Sequence, residues 1–219
     1  TLLASSAASD VYKRQVLYVN VGDYKNVWDE LIRDIPQMRE LATEHFDNWK
    51  DTKAFATKAL SASQINNSDV VTDNNRDDNS KNITADNSSE DTSDNITGIH
   101  GFYHKNIFEA VYCTNLLMRS ADVLVTKPSE LAFYPVPKLF IKRVGGHEQW
   151  GAVHSAEIGD GTLECRDIPH TLQMIKLFME DDTYIIDMCK NIKKNKQMGI
   201  YNGAYEAVKL AVNMKKSDI

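Results

Sequence analysis

Cysteine is scarce in this chain and badly placed for pairing. Cys113, Cys165 and Cys189 are odd in number, far apart, and show no Cys-x-x-Cys spacing. A disulfide scaffold and a structural zinc site are thereby excluded, and a reducing compartment is expected. The six histidines form no His-Glu-x-x-His and no paired spacing, so no metal is expected. No run approaches eighteen apolar residues, so nothing reads as a membrane span. The Ala- and Ser-rich residues 4–9 follow no apolar stretch of the length a secretory leader needs.

Aromatic residues are missing from one long stretch. Residues 61–97 are mostly Asn, Asp, Ser and Thr, with eight acidic side chains against two basic ones. Their net charge of −6 equals that of the whole chain, so the remainder is close to neutral. Such a segment buries too little apolar surface to offset its chain entropy and reads as a disordered insertion. Asp73-x-Asn75-x-Asp77 opens like a calcium loop, but the sixth position is not Gly and Thr84 stands where a Glu is needed. Asn66, Asn82, Asn87 and Asn95 begin Asn-x-Ser/Thr triplets, which this composition produces by itself. A near-neutral remainder gives no argument for nucleic acid or for bulk attraction to a membrane.

Residues 5–15 read as the translation of a transposase sequencing adapter in one frame. The codons GAT-GTG-TAT-AAG-AGA-CAG give Asp10 to Gln15. Residues 1–15 are therefore set aside as non-native. Val16 begins inside an apolar strand, so the natural protein is expected to extend upstream.

What is present alternates between strand and helix. Strands are expected at 16–21, 96–102, 123–126, 139–141 and 162–165. An amphipathic helix is expected over 27–46 with a break or kink at Pro36, and a short one over 51–60. A helix over 107–119 would present Phe108, Val111, Tyr112 and Leu116 on one face, with Leu117 at its edge. Further helices are expected over 148–158, from Pro169 to about Met179, over 182–194 and over 204–214. This predicts an α/β fold with a Rossmann-like parallel sheet flanked by helices. One strand is missing from the pattern, and only residues 69–72 offer themselves. Residues 16–60 and 98–219 are expected to form one domain around the insertion.

Charged and glycine residues collect at the expected carboxyl ends of strands, where open α/β sheets bind ligands. Lys127 ends one strand; Lys142 and Arg143 end the next. Gly145-Gly146-His147-Glu148 then opens a helix whose free N–H groups suit an anion. Gly159-Asp160-Gly161-Thr162 lies at a helix-to-strand connection and reads as a turn. Tyr134 and Trp150 read as packing residues ahead of stacking ones.

The order Asp122 to Lys127, Glu130-Leu131-Ala132, Val136-Pro137, Leu139-Phe140-Ile141, His147-Glu148, Gly151-Ala152 and Glu157-Ile158-Gly159 resembles the C-terminal, donor-binding domain of GT-B glycosyltransferases. It is closest to the peptidoglycan N-acetylglucosaminyltransferase and monogalactosyldiacylglycerol synthase type, over about residues 98–180. The resemblance implies one half of a GT-B fold and a nucleotide-sugar donor, of the UDP-sugar kind. It implies donor contacts at Lys127, Ser129, Glu130, Lys142, Arg143, Gly145, Gly146, His147 and Glu148. In this role Glu130 accepts from ribose hydroxyls, and His147 and Glu148 face the sugar. The departing diphosphate is stabilised by a helix N-terminus and basic side chains, with no bound metal or cofactor. Acceptor site and general base belong to a separate N-terminal domain, so a hexosyltransferase fragment would bind donor without turning it over. A lipid-linked acceptor would place the protein in the cytoplasm, peripheral to a membrane. Three departures stand out: Pro128-Ser129 replaces the family's glycine turn, Gly151 replaces its Asn, and the first phosphate loop is reduced to Gly22. The first two favour, as an alternative, a non-enzymatic interaction module; one half of a UDP-sugar 2-epimerase on the same scaffold is a further alternative, which would need acidic and His residues from the other half.

Overall fold

The computed structural model describes residues 16–46, 48–68 and 96–217. The expected adapter segment, the candidate strand at 69–72, the calcium-like Asp73-Asn75-Asp77 and the triplets at Asn82, Asn87 and Asn95 lie outside the described residues. The chain is α/β, with a small Rossmann-like parallel sheet flanked by helices, as the alternation predicts. It divides into two compact units, Thr1–Ser120 and Ala121–Ile219, so the boundary falls inside the stretch expected to be one domain.

The first unit runs β1 (Val16–Asn20), α1 (Lys25–Asp34), α2 (Pro36–Leu41), β2 (Ala42–Phe46), α3 (Trp49–Ser68), β3 (Gly98–Tyr103) and α4 (Ile107–Leu117). Its three strands are parallel in the order β1-β3-β2. Alternation puts Gly101 and Phe102 of β3 on opposite faces. On the Gly101 face the fully buried Trp28 of α1 lies flat against the strand: a Cβ on Gly101 would meet its ring at 2.4 Å. Trp28 Nε1 donates to Glu44 Oε1 of β2 at 2.9 Å. On the other face Phe102 packs with Ala56 of α3 and with Cys113 and Leu117 of α4.

The strand missing from the sequence pattern is β2, and it lies within the expected helix 27–46. Pro36 forces Ile35 into an extended conformation and then starts α2 from its first turn. After Leu41 the chain turns extended and pairs along β3, Ala42 opposite Ile99 through Phe46 opposite Tyr103. Little in Ala42–Phe46 announces a strand, with two of its five residues exposed charged or polar. Trp28 of α1 holds it through Glu44, and cross-strand contacts hold it to β3: His45 to His100, and Phe46 to Tyr103 at 5.6 Å between ring centroids.

Two further expectations change. Helix α3 runs through Ser68, so the first eight residues assigned to the disordered insertion are helical. Helix α4 buries Leu117, at the edge of the expected inner face, together with Ala110 and Cys113, while Phe108, Val111 and Tyr112 of that face are exposed. Ala110 and Cys113 face inward in place of the rings of Phe108 and Tyr112, and the Asn20 side chain of β1 reaches the Ala110 carbonyl at 3.1 Å.

The second unit has a separate sheet. It runs β4 (Leu124–Thr126), a 3-10 turn (Glu130–Phe133), β5 (Lys138–Phe140), a 3-10 turn (Gly146–Glu148), α5 (Gln149–Ile158), α6 (Ile168–Glu180), α7 (Thr183–Gln197), a 3-10 turn (Ile200–Asn202) and α8 (Gly203–Ser217). β4 and β5 pair in parallel. The expected strand at 162–165 reduces to one parallel bridge, Gly161 with Lys138. The chain stays extended, since Thr162 N and Cys165 N reach the carbonyls of Lys138 and Phe140. The Thr162 hydroxyl, by accepting from Phe140 N, takes the place of a backbone rung. Ala132, Phe140 and Ala152 form the core. Asp167 caps α6 by accepting from His170 N at 2.9 Å, with Pro169 in the first turn as expected.

Candidate functional site

The carboxyl ends of β4 and β5 bring part of the expected donor site together. Lys127 follows β4 directly, and the buried Pro128 turns the chain into the 3-10 segment that carries Glu130. Behind the turn, α5 comes close enough that a Cβ on Gly151 would meet the Pro128 carbonyl at 2.6 Å. The Asn found at this position in the resembled family would not fit here without moving that turn.

The centre of the cluster is Glu148. Its Oε1 accepts from Lys127 Nζ at 2.5 Å, and its Oε2 accepts from Val144 N at 2.9 Å and Gly145 N at 3.2 Å. The N–H groups expected to be free for an anion are therefore held by a carboxylate of the chain itself. Glu148 sits three residues past Gly145, where a Glu reaches back to the start of a helical turn. The Lys127 ammonium and these two N–H groups pull its carboxyl down to about 2. Lys127 is raised in turn, first by its hydrogen bond to Glu148, and its side chain is 43% exposed. Glu130 is exposed, and its carboxyl is held below the usual value by its own backbone N–H and then by the Ser129 hydroxyl.

Lys127, Ser129, Glu130, Gly145 and Glu148 thus converge. The other expected contacts do not. Arg143 turns to Glu164, with its backbone N–H and Nη1 donating to the two carboxylate oxygens at 2.8 and 2.5 Å. Lys142 is exposed and lines a shallow depression with Ile141, Asp167, Ile168, Thr171 and Leu172. Gly146 and His147 are exposed, as is Trp150 at 66%, against its reading as a packing residue.

Sequence reasoning missed the buried polar group beneath the site. Lys138 and Asp160 are fully buried and paired at 2.8 Å. Lys138 Nζ also donates to the carbonyls of Tyr134 and Val136 at 2.7 and 3.0 Å, so its three protons are satisfied. Tyr201 donates to Asp160 Oδ2 at 2.8 Å and is pushed up to about 12, by burial first. Asp160 therefore ties the 159–162 turn to β5 and to the segment before α8. A lysine inside the apolar run Val136 to Ile141 was the available signal.

In the first unit the loop after β1 offers no free cradle. Gly22 N donates to Asn20 Oδ1 at 3.0 Å, while Asn20 Nδ2 donates to Ala110 O and Thr114 Oγ1 of α4. At the end of β3 the fully buried His104 contacts Thr52 Oγ1 at 3.2 Å and lies 3.7 Å from Glu109. Among the described residues no group of three or more potential ligands could hold a metal ion. No described helix is long and apolar enough to cross a membrane.

Similarity places the chain without giving it a chemistry. The family model described as a domain of unknown function (DUF6938) matches residues 3–87 and 63–212 in two overlapping segments. The chain belongs to this family. No curated protein and no solved structure matches it. For this DUF6938 member the site must be read from its own side chains.

Proposed function

We propose that the chain is the donor-binding half of a nucleotide-sugar-dependent glycosyltransferase, with a UDP-sugar as donor. One observation carries the reading. A half-exposed lysine, two adjacent backbone N–H groups and an exposed carboxylate meet at the carboxyl ends of two parallel strands, where such folds take nucleotides. Lys127 and the N–H groups of Val144 and Gly145 are the donors for the diphosphate. Glu130 accepts from the ribose hydroxyls. Glu148 holds the donors in place without ligand and is the group the diphosphate displaces. The chemistry served is transfer of a glycosyl group to an acceptor hydroxyl, with the leaving diphosphate stabilised by this donor set.

Calorimetric titration of the full chain with UDP and then UDP-sugars tests the reading. Binding should weaken about tenfold or more in Lys127→Ala, since one charge-assisted contact is lost. No glycosyl transfer by this chain alone is expected, and measurable transfer would contradict the assignment of half a site. A second reading, a non-enzymatic interaction module, is favoured by the internal pairing of Glu148 and Arg143. It predicts a folded chain that leaves UDP unbound.

A further inference from the structure

The near-neutral charge of the chain outside residues 61–97 is an average over unlike parts. Residues 190–217 contain seven lysines and a single acidic residue, Glu206, in a chain whose net charge is −6. Lys190, Lys193, Lys194 and Lys196 on α7 are exposed. Helix α8 follows directly, and every residue from Asn202 to Met214 is exposed. Tyr205, Val208, Leu210, Val212 and Met214 are each 48% exposed or more. Over residues 204–214, Glu206, Lys209 and Asn213 line one polar stripe at helical spacing, and Ala, Val, Leu, Tyr and Met occupy the rest of the circumference.

We infer that α8 docks this chain on an anionic lipid surface, with its apolar face in the headgroup region. An exposed apolar face beside a polar stripe is the character of a helix that lies in an interface, and no described helix is long and apolar enough to cross a membrane. The charge chooses the occupant. A protein partner needs only the apolar face, whereas seven lysines against Asp187 and Glu206 on α7 and α8, a surplus of five, complement a negatively charged bilayer. Lipid docking does not depend on the donor-binding reading, and neither test touches the other's residues.

The full chain is sedimented with phosphatidylcholine vesicles, with and without about 30% phosphatidylglycerol. It should bind the anionic vesicles, bind the neutral ones at least tenfold less, and detach as salt rises. Val208→Glu with Val212→Glu should abolish binding, and Lys193→Glu with Lys194→Glu should weaken it. Because these side chains are exposed, circular dichroism should be unchanged in both variants. A Tyr205→Trp variant should gain a blue-shifted emission component only when anionic vesicles are added. Three results would overturn the inference. The first is a folded chain that ignores anionic vesicles, and the second is binding that both charge-altering variants leave intact. The third is a Tyr205→Trp variant whose added emission is already shielded without lipid, because another protein surface covers α8.

Discussion

The two units solve the same problem, holding a small parallel sheet against helices, with opposite chemistry. In the first, rings close both faces. Trp28, Phe46 and Tyr103 lie on one side, and Tyr18, His45, Phe55, His100 and Phe102 on the other. In the second, a sheet of two short strands is fixed by charge: Lys138 with Asp160, Lys127 with Glu148 and Arg143 with Glu164. A ring-packed sheet leaves its loops little polar capacity, and Asn20 has already used the N–H of Gly22. A charge-held sheet carries ionised groups at its strand ends as a condition of folding. That is where a polar ligand can exchange with them.

The comparison breaks most sharply at Lys138. In Lys138→Met, Asp160 is left buried with no cation, and the second unit should lose about 3–5 kcal/mol in urea unfolding. A loss below about 1 kcal/mol would mean that the pair is not needed for folding. In the first unit the corresponding site is Gly101. Gly101→Ala forces a methyl into the Trp28 ring and should cost about 1–3 kcal/mol. A neutral result would show that Trp28 can move away from the sheet at no cost.

Acid should separate the units by smaller amounts. His45 and His100 are held below their ordinary value, chiefly by burial, and His45 further by His100. His100 Nε2 donates to Thr97 O, so its Nδ1 is left to accept from His45 Nε2 at 3.1 Å. The unfolded chain binds these protons more readily. Stability is therefore complete above a pH of about 6.5 and falls as the pH drops below it. Glu148, whose folded value lies at about 2, contributes stability above its unfolded value. That contribution is lost as the pH falls from about 4.3 towards the folded value. Amide signals of the first unit should thus weaken against denaturant in mild acid, and those around Val144 to Glu148 only in strong acid. His100→Gln should flatten the first dependence and leave the second unchanged. Simultaneous loss in both units would contradict two separate origins.

The same contrast explains what could be read in the sequence. In the second unit, Lys127, Glu130 and Glu148 were legible because turns and charges follow one another over a short stretch at strand ends. What their pattern could not show is that Glu148 folds back onto Val144 and Gly145, or that Arg143 prefers Glu164, since both depend on which side chains the turn brings close. Lys138 and Asp160 were passed over because nearly all of their meaning is in burial. In the first unit β2 was hidden, since Ala42–Phe46 becomes a strand only through partners on α1 and β3 far along the chain. The inner face of α4 was misjudged for a related reason: helical spacing identified an apolar stripe, but the sheet receives the neighbouring one through Ala110 and Cys113. The strand–helix alternation, which is local, was sufficient for the α/β class.

The claim that matters most is that Lys127 and the N–H groups of Val144 and Gly145 receive a nucleotide diphosphate by displacing Glu148. Saturating UDP added to the isotope-labelled chain tests it through these two amides. Both signals should shift as their hydrogen bonds pass from Glu148 to phosphate, and Lys127→Ala should remove the effect. Amides of Val144 and Gly145 that stay in place at saturating UDP would contradict it.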